Sequence, residues 1–367
     1  LDMLSSILSS GRGSRLQSNL NYGKELVSQV FANNGTNEIG GLFQISALAR
    51  PGKTLDEIEK EINLEIDRIK KDPPTAEEMA RALNARESSF IYGLESAIGK
   101  GSQFSNYAGF LKKPDYFQTD LDRYRKVTPA DVQRVASQYL SNNRLVMSYV
   151  PGKPAATTNA ATDKPATTKA KTMDPAIIAQ QKAALPKAGP APKLSLPAIE
   201  KTKLSNGLNV WFVKQNKLPI ISMNLVFNSG SIIDSSDKYG VASWTASMLN
   251  QGTNSRSAVE IANQLQSIGA SVFAGSSWDS SSVSMQTLTK NLDQALNIYT
   301  DVITNPAFPT TELESLRRRS IINLTQRKSQ PASVASLAFN KVLYGNQAYG
   351  RDSTENSLKA ITREDLV

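Results

Sequence analysis

The stretch YGVASWTASMLNQGT, Tyr239–Thr253, decides the interpretation of the second half of this sequence. It predicts the start of an amphipathic helix that leaves a loop. Ser, Trp, Thr and Ala fill the first turns of this helix. None of these side chains is a good metal ligand or a general base near neutral pH. The question is therefore why a helix of this frame carries no chemically active side chain.

Composition excludes several kinds of catalytic site. The chain has 367 residues, a length typical of about two to three domains, and 40% of them are hydrophobic, which is enough for real cores. It contains no cysteine and no histidine. Disulfides, thiolate nucleophiles, cysteine-ligated zinc and every Ser-His-Asp or Cys-His arrangement are thereby excluded. Any chemistry carried by this sequence must use carboxylates, lysine or tyrosine.

The charge of the chain is concentrated in one segment. The formal net charge is +9, and the nine lysines and three acidic residues between Lys153 and Lys203 account for +6 of it. The rest of the chain is close to balanced, and no basic face interleaved with aromatic residues accompanies the charge. We therefore expect no nucleic-acid partner. No run approaches the ~20 apolar residues that span a bilayer, so no membrane span is predicted.

Composition also divides the chain into three parts. Residues 1–151 and 196–367 have the mixed composition of globular domains, whereas residues 152–195 consist mainly of Ala, Pro, Thr and Lys. Such a segment cannot bury enough apolar surface to offset the entropy of ordering it. Proline and like charge keep a chain of this kind extended, so a semi-stiff linker is predicted.

The two globular parts repeat each other in register. PTAEEMARAL at Pro74 resembles PTTELESLRRR at Pro309, and VTPADV at Val127 resembles ITREDLV at Ile361. The equivalent threonines, Thr75 to Thr128 and Thr310 to Thr362, are 53 and 52 positions apart. Two matches at the same separation favour homologous domains. The alternative is that Pro-Thr and Thr-Pro are simply common ways to start a helix.

Three helices and two strands are predicted in the first part. TLDEIEKEINLEIDRIKKD places leucine and isoleucines on one face of a helix. TAEEMARALNARESSFIYGLESA is a second helix, in which Thr75 and Glu78 fit a capping box. TPADVQRVASQYL is a third, with Thr128 as its N-cap and Pro129 in its first turn. The segments GLFQISALA and RLVMSYV, the latter Arg144–Val150, are predicted strands.

The second part opens with predicted strands and continues with helices. KTKLSNGLNVWFVKQ predicts a hairpin that turns at Asn206-Gly207. SAVEIANQLQSIGA predicts a helix ended by Gly269. Strands are predicted in ISMNLVFNSGS and, as a pair, in SVFAGSSWDSSSVSMQTL. Helices are predicted in LDQALNIYTDVIT and TTELESLRRRSIINLTQRKS.

The order of these elements carries a resemblance to a known family. The S-N-G-L hairpin, a Gly-Ser turn, a Gly-hydrophobic-Ala helix entry, Met-Leu-x-x-Gly-Thr and L-x-x-x-G-A follow one another between Lys203 and Val272. This region resembles the N-terminal domain of the zinc peptidases related to pitrilysin, insulin-degrading enzyme and mitochondrial processing peptidase. The first part, from SSGRGSRLQSNL to VTPADVQRVASQYLSNNRLVMSYVPG, resembles their other domain type. The resemblance implies an α+β fold of repeated domains, each a mixed or antiparallel sheet packed against helices.

Active members of this family carry an inverted zinc motif, H-x-x-E-H, on the helix after Gly-hydrophobic-Ala. Its two histidines bind zinc, its glutamate is the general base, and a third ligand, a glutamate, follows on a later helix. On this sequence the first three positions are occupied by Ser243, Ala246 and Ser247, and the distal glutamate falls on Asn323. The resemblance therefore implies a degenerate domain with no catalytic residue and no metal site.

The resemblance also concerns the substrate-clamping positions of the first part. Noncatalytic halves of the family often carry an Arg and, seven residues later, a Tyr that hold substrate. Here the two positions are Asn21 and Ser28, and Tyr22 is one position away from the first. In two-repeat members, both the zinc motif and the Arg-Tyr pair lie in other domains. We therefore expect this chain to be the middle of a longer protein in which zinc is bound elsewhere.

A substrate contact is predicted on one strand. In the family, the strand corresponding to Ala274, Gly275, Ser276 and Ser277 borders the substrate channel, where an edge strand adds backbone hydrogen bonds to an extended peptide. The alternative is an ordinary hairpin strand. Trp244 replaces a motif residue and is expected to fill the core.

Two charged motifs have ordinary explanations. Glu77 and Glu78 could form an acid/base pair, and the alternative is that they cap the helix and complement its dipole. Arg317, Arg318 and Arg319 could bind an anion, and the alternative is that they form a solvated helix face.

Three hypotheses about function follow. The first is that this chain forms chamber wall and hinge in a zinc endopeptidase, with peptides as substrate and the remaining domains of the same parent chain, or an active peptidase half, as partners. The second is a noncatalytic binding or scaffold member of the family. The third is an unrelated hydrolase that uses Tyr or Lys. The lack of cysteine and the Lys/Ala/Pro linker favour a bacterial periplasm or cell envelope.

Overall fold

The computed structural model describes residues 1–150, 174, 189 and 195–367. The predicted linker, residues 152–195, lies outside the described residues except for three single positions. The chain divides into two compact units: Leu1–Arg144 together with Leu218–Val367, and Leu145–Lys217. Both predicted globular parts contribute to the first unit. The domain boundaries at 151 and 196 stay a prediction.

The first part is mostly helical. Its helices are α1 (Asp2–Ser9), α2 (Leu55–Lys71), α3 (Ala76–Gly93), α4 (Ala97–Asn106), α5 (Phe117–Arg125) and α6 (Pro129–Tyr139). Its strands, β1 (Val27–Thr36) and β2 (Gly41–Ala49), form an antiparallel pair. Two π-helical segments lie at Gln17–Gly23 and Tyr107–Leu111.

Local signals place the helix starts of this part where the sequence predicts them. Thr54 caps α2, and complete capping boxes close α3 at Thr75 and α6 at Thr128. The second helix is shorter than predicted, because it ends at Gly93 and Ser96 caps a separate helix, α4. The buried side chains of the first part form one core around α1 and β1, which includes Leu4, Leu8, Leu16, Leu20, Val27, Val30, Ile58, Ile66 and Ile69.

The second part packs helices against a three-stranded antiparallel sheet. Its strands are β5 (Ile220–Phe227), β6 (Ser271–Ser276) and β7 (Ser281–Leu288), in the order β5-β7-β6. Its helices are α7 (Val241–Leu249), α8 (Ala258–Ser267), α9 (Leu292–Thr304), α10 (Thr310–Lys328), α11 (Pro331–Tyr344) and α12 (Glu355–Ala360). Short 3₁₀ turns lie at Ser231–Ile233, Ser236–Lys238, Thr289–Asn291 and Ala348–Gly350. The α+β class is confirmed.

The smaller unit contains a hairpin whose strands are β3 (Glu200–Lys203) and β4 (Asn209–Phe212). Its turn at Gly207, with φ +89°, confirms the Asn-Gly prediction. The strand predicted at Arg144–Val150 is wrong, since no regular structure forms there and Leu145 is 81% exposed. An alternating segment becomes a strand only beside another strand, and no described strand pairs with this one.

Within the larger unit, α3 of the first part packs against α8 of the second. The side-chain amide of Asn84 donates to the carbonyl of Ser267 at 2.5 Å, and the Tyr92 hydroxyl donates to the carbonyl of Gly269 at 2.7 Å. Burial raises the pKa of Tyr92 to about 12, which keeps this hydroxyl a donor across the ordinary pH range. The second part therefore docks on the first through carbonyls at the end of one helix.

Candidate functional site

The helix of the degenerate motif, α7, is fixed at its N-terminus by a buried carboxylate. Gly240 precedes it with φ +123°, a conformation that strongly favours glycine. The Asp234 carboxylate accepts hydrogen bonds from the backbone N–H groups of Gly240, at 2.9 Å, and Ala242, at 3.1 Å. An acidic side chain at this end also suits the helix dipole. Sequence reasoning missed Asp234 because it lies six residues ahead of the N-cap and reaches it only through the intervening 3₁₀ turn.

The four motif positions lie in two environments. Ser243 and Ser247 are exposed one turn apart on α7, where the Ser247 hydroxyl donates to the Ser243 carbonyl at 2.8 Å. Asn323 is exposed on α10. Ala246 is instead buried, in an apolar cluster that it shares with Ala274 of β6. The structure thus brings the general-base position against the predicted substrate strand, and it leaves the ligand positions at the surface.

Trp244 holds α7 against α10. Its side chain is 5% exposed and lies in a cluster with Met248, Leu313 and Leu324. The Arg317 guanidinium stacks on the indole with its carbon 5.4 Å from the ring centroid. Trp244 is therefore a core residue that positions the two helices on which the motif positions lie.

These side chains do not fit a zinc ion. Structural and catalytic zinc sites use imidazole, thiolate or carboxylate ligands, because a divalent cation needs strong donors to offset its lost hydration. Here the ligand positions offer two hydroxyls and one amide, and the Ser247 hydroxyl hydrogen is already donated to a backbone carbonyl. Among the described residues, no group of three or more acidic side chains is placed to hold a metal ion. We therefore derive no metal-dependent step for this domain.

Strand β6 forms one edge of the three-stranded sheet, as the substrate-strand prediction requires. The Asn250 side-chain amide donates to the outward-facing carbonyl of Val272 at 2.9 Å. Because alternate residues of an antiparallel strand point to the same edge, the backbone N–H and C=O of Ala274 and Ser276 face this side too. Within the described part of the chain, the outward groups of Ala274 make no backbone hydrogen bond. The structure thus provides a short free edge beside α7.

Ser277 has a different role from the other three predicted substrate contacts. It lies beyond the end of β6, and its N–H donates to the carbonyl of Ser280 at 2.8 Å. Its own carbonyl accepts from the N–H of Ser231 at 2.9 Å. Gly230 makes this approach possible, because a Cβ there would lie 2.4 Å from the Ser277 carbonyl oxygen. Ser277 therefore closes the hairpin, and the backbone groups that face the free edge are those of Ala274 and Ser276. The four residues Ala274–Ser277 stay a prediction as substrate contacts.

The clamping positions of the first part are engaged in local contacts. The Asn21 side chain accepts from Arg50 at 3.1 Å, and the Ser28 hydroxyl donates to the Leu48 carbonyl at 3.2 Å. Tyr22 is 40% exposed, and the Arg12 guanidinium lies 4.2 Å above its ring. Tyr22 is thus a support for an arginine that also reaches the second part.

Arg12 links the clamping region to the motif helix. Its guanidinium donates to the Gln251 side chain at 2.8 Å and pairs with Glu312 at 2.5 Å. Gln251 in turn donates to the carbonyl of Ser247 at 3.4 Å. The sequence contains no local signal for this contact, because 239 positions separate Arg12 from Gln251.

One residue of each of the two other charged motifs has a structural role. Glu78 closes the capping box of α3 and accepts two hydrogen bonds from Arg15, at 2.8 and 2.9 Å. Arg317 donates to the carbonyls of Leu358 and Ile361. Glu78 is therefore engaged away from acid/base chemistry, and Arg317 away from an anion.

Polar residues of the loop after α7 surround Asp301 of α9. Its carboxylate accepts from the hydroxyls of Thr253, at 2.7 Å, and Ser255, at 3.0 Å, and pairs with Arg256. Although burial alone would raise it, these hydrogen bonds hold the pKa of Asp301 at about 2. An adjacent cavity of about 370 Å³ is lined by residues 251–258 with Pro309, Thr311 and Glu312. The cluster fixes the loop that bears Gln251.

None of the described helices is both long and apolar enough to cross a bilayer.

Two family models match this chain. The one described as Insulinase (Peptidase family M16) matches residues 210–355, and the one described as Peptidase M16 inactive domain matches residues 1–86. Together the matches cover more than half of the chain.

Curated relatives are similar to about half of the chain. An uncharacterized zinc protease of Rickettsia felis is 26% identical over 168 residues, or 45% of this chain. The mitochondrial-processing peptidase subunit beta of Rattus norvegicus is 28% identical over 186 residues, or 49% of this chain. The matches cover 41% and 37% of these two relatives, so the chain spans only part of their length.

Solved structures include similar chains. The peptidase M16 inactive domain from Pseudomonas fluorescens is 28% identical with a TM-score of 0.43, covering 46% of this chain and 42% of that one. The periplasmic protease PqqL from Escherichia coli is 15% identical with a TM-score of 0.41, covering 99% of this chain and 42% of that one.

Proposed function

The chain belongs to the pitrilysin-like family of zinc peptidases, and on that premise we propose that it is the noncatalytic middle portion of such an enzyme. In this proposal it forms part of the chamber that encloses peptides, and the parent protein hydrolyses peptides with zinc held by other domains. The observation that supports it is the free edge of β6 beside a helix whose motif positions are neutral. In this proposal the strand edge that holds a peptide is kept, and the side chains that would bind a metal are replaced.

The β6 edge suits an extended peptide. A peptide strand placed beside Ala274 and Ser276 would exchange main-chain hydrogen bonds with groups that face no other strand of the described residues. Ala274 is 8% exposed and Ala246 6%, so the side chains below the edge are small and packed. A firm edge loses little entropy when a partner strand is added. Binding through the backbone requires no particular peptide sequence, as a chamber that accepts varied peptides needs.

A second candidate function is that of a noncatalytic binding or scaffold protein of the same family. The neutral motif favours it, because Ser243, Ser247 and Asn323 give this domain no chemistry of its own. The two candidates differ in whether another domain of the parent protein carries the zinc motif. Peptide mapping of the native protein for an H-x-x-E-H helix, with peptide hydrolysis tested with and without a chelator, distinguishes them. Chelator-sensitive hydrolysis is expected for the enzyme, and peptide binding without hydrolysis for the scaffold. Hydrolysis that survives chelation would revive a metal-free hydrolase that uses Tyr or Lys.

The peptide contact itself is tested with a fluorophore on Ser276→Cys, a unique label in a chain that has no cysteine. The matched control is Ser141→Cys, an exposed serine after α6. Adding an unstructured peptide is expected to change the signal at position 276 and leave position 141 unaffected. Peptides N-methylated at alternate residues should bind in one phase of methylation and not in the other, because every second N–H faces the edge. Peptide binding that leaves the fluorescence of the label at position 276 unchanged would contradict the proposed contact.

We also propose that the parent protein works in the bacterial periplasm or cell envelope, alongside the remaining domains of its own chain or an active peptidase half. The complete lack of cysteine suits an oxidising compartment. Fractionation of cells followed by detection of the native protein tests this, and recovery in the cytoplasmic fraction would contradict it.

A further inference from the structure

Arg319 is a half-buried cation that pairs with no carboxylate in the part of the chain that the structure describes. It lies one turn before Asn323 on α10, and its guanidinium donates to the hydroxyl of Ser315 at 2.8 Å. Within the described residues, no carboxylate lies within 4.0 Å of it, whereas its neighbours Arg317 and Arg318 pair with Glu314 and Glu25. A guanidinium removed from water needs an anion or several acceptors to offset its lost hydration.

Two arginines of the first part, Arg12 and Arg50, add positive charge near Arg319 of α10. Burial is the main cause that lowers the pKa of Arg319, and the nearby positive charges of Arg12 and Arg50 lower it further, against Tyr22 and Glu312. Arg12 also has a buried Nε hydrogen for which the described part of the chain offers no acceptor. Positive charge is therefore in excess at this point, and hydrogen-bond donors are unused.

We define the arginine cluster as Arg12, Arg50, Arg318 and Arg319. Two carboxylates serve these four side chains: Glu312 pairs with Arg12 at 2.5 Å, and Glu25 is shared by Arg50 at 3.4 Å and Arg318 at 3.2 Å. The balance of four positive and two negative charges leaves two positive charges uncompensated. Exposure of Arg318 and Tyr22, 56% and 40%, shows that the cluster opens to solvent.

The cluster is connected to the degenerate motif. Arg319 and Asn323 are four residues apart, so they project from the same side of α10. From the other direction, Arg12 reaches Gln251, and Gln251 reaches the carbonyl of Ser247. Positive charge therefore lies near the neutral motif positions from two directions, from Arg319 on α10 and from Arg12 through Gln251.

We propose that the arginine cluster binds the carboxylate of a peptide, with Arg319 in direct contact and the C-terminal carboxylate as the preferred source. This inference rests on the proposed function and adds the direction in which the peptide chain is bound. The planar guanidinium fork matches two carboxylate oxygens and is the best protein group for them. Every peptide ends in one such group, so a site for it orients chains of any sequence in the chamber.

The test compares one peptide as its free acid, as its C-terminal amide, and as an amide with an internal glutamate, by calorimetry on the full-length protein. The free acid is expected to bind about tenfold more tightly than the amide. Arg319→Gln should abolish this preference and Arg319→Lys should restore part of it. Arg134→Gln is the control for net charge, because it removes a 63%-exposed arginine of α6 that is not part of the arginine cluster. It should leave the preference for the free acid intact.

Equal binding of acid and amide, or equal behaviour of Arg319→Gln and Arg134→Gln, would overturn the inference while peptide binding itself stands. Equal binding of the free acid and the glutamate amide would reject the preference for the C-terminus. If no peptide binds, the proposed function fails, and saturation-transfer NMR with N-acetylglycine and N-acetylglycinamide decides the carboxylate site alone. A signal for the acid that Arg319→Gln removes supports the site, and equal signals for both compounds reject it.

Discussion

Helices α3 and α10 begin with the same sequence pattern and are stabilised in different ways. In α3, Thr75 and Glu78 close a capping box within the helix itself. In α10, the position equivalent to Glu78 is Leu313, which is 2% exposed in the core, and the N-cap is Pro309, which has no N–H to offer a box. The start of α3 is thus secured locally, and that of α10 by tertiary packing.

One loop connects both helix starts. Arg15 forms two hydrogen bonds with Glu78 of α3, and Arg12 pairs with Glu312 of α10. The two arginines are three residues apart in the segment GRGSR. A single short loop of the first part thus contacts the starts of both equivalent helices. Because the start of α10 has no local side-chain cap, it depends more on its contact with the first part.

The largest effect is expected from exchanging the unequal residues of the two helix starts. Leu313→Glu copies Glu78 of α3 but cannot close a capping box, because the N-cap Pro309 has no N–H. It should lower the free energy of unfolding by roughly 4 kcal/mol or more, because it buries a carboxylate in an apolar cluster. Urea denaturation followed by circular dichroism measures this.

The reciprocal change, Glu78→Leu, is the matched control for the exchange. It removes the box and the Arg15 contacts and should cost about 2 kcal/mol. A Leu313→Glu variant as stable as the wild type would show that the start of α10 is not part of the core.

A smaller effect is expected where α3 meets α8. A Cβ on Gly269, whose φ is +61°, would lie 2.5 Å from the Ser88 hydroxyl and 2.9 Å from the Asn84 carbonyl. Gly269→Ala should therefore lower the free energy of unfolding by roughly 3 kcal/mol, from backbone strain and overpacking together.

Gly52 provides the control, since its φ is +80° but a Cβ there meets no atom within 4 Å. Gly52→Ala should cost about 1 kcal/mol, the backbone contribution alone. If thermal denaturation shows equal losses for the two variants, the close contact between α3 and α8 does not contribute to stability.

The smallest effect concerns acid stability at the start of α3. Although burial acts to raise it, hydrogen bonds from Arg15 and the Thr75 N–H hold the pKa of Glu78 below its usual value of 4.5. A lowered folded-state pKa adds stability above pH 4.5 that is lost as the pH falls through the folded value. Glu78→Gln should therefore be about 1 kcal/mol less stable near neutral pH, and this deficit should shrink in acid.

Denaturation of both proteins at a series of pH values between neutrality and acid measures this dependence. Glu77→Gln, which removes a neighbouring carboxylate that is 73% exposed, should change the free energy of unfolding by less than about 0.5 kcal/mol. A constant difference between wild type and Glu78→Gln at every pH would contradict the assignment.

The sequence predicted elements whose signals are local, and it failed where partners are distant. The capping residues Thr75 and Thr128 and the turn at Gly207 are confirmed, since each acts within a few residues. The strand predicted at Arg144–Val150 did not form, because alternation supplies a pattern and no pairing partner. The break at Gly93 shortened a predicted helix that has no strong internal stop signal.

The sequence by itself determined the family resemblance and the replacement of the zinc-ligand and general-base residues of the motif. Residue type alone decides whether a side chain can bind zinc or move a proton. Only the tertiary structure decided that Ala246 is buried against Ala274 and that β6 has a free edge. It alone joined Arg12 to Gln251 and, among the residues with described positions, left Arg319 without a carboxylate partner. Contacts between residues hundreds of positions apart depend on packing, which no local pattern encodes.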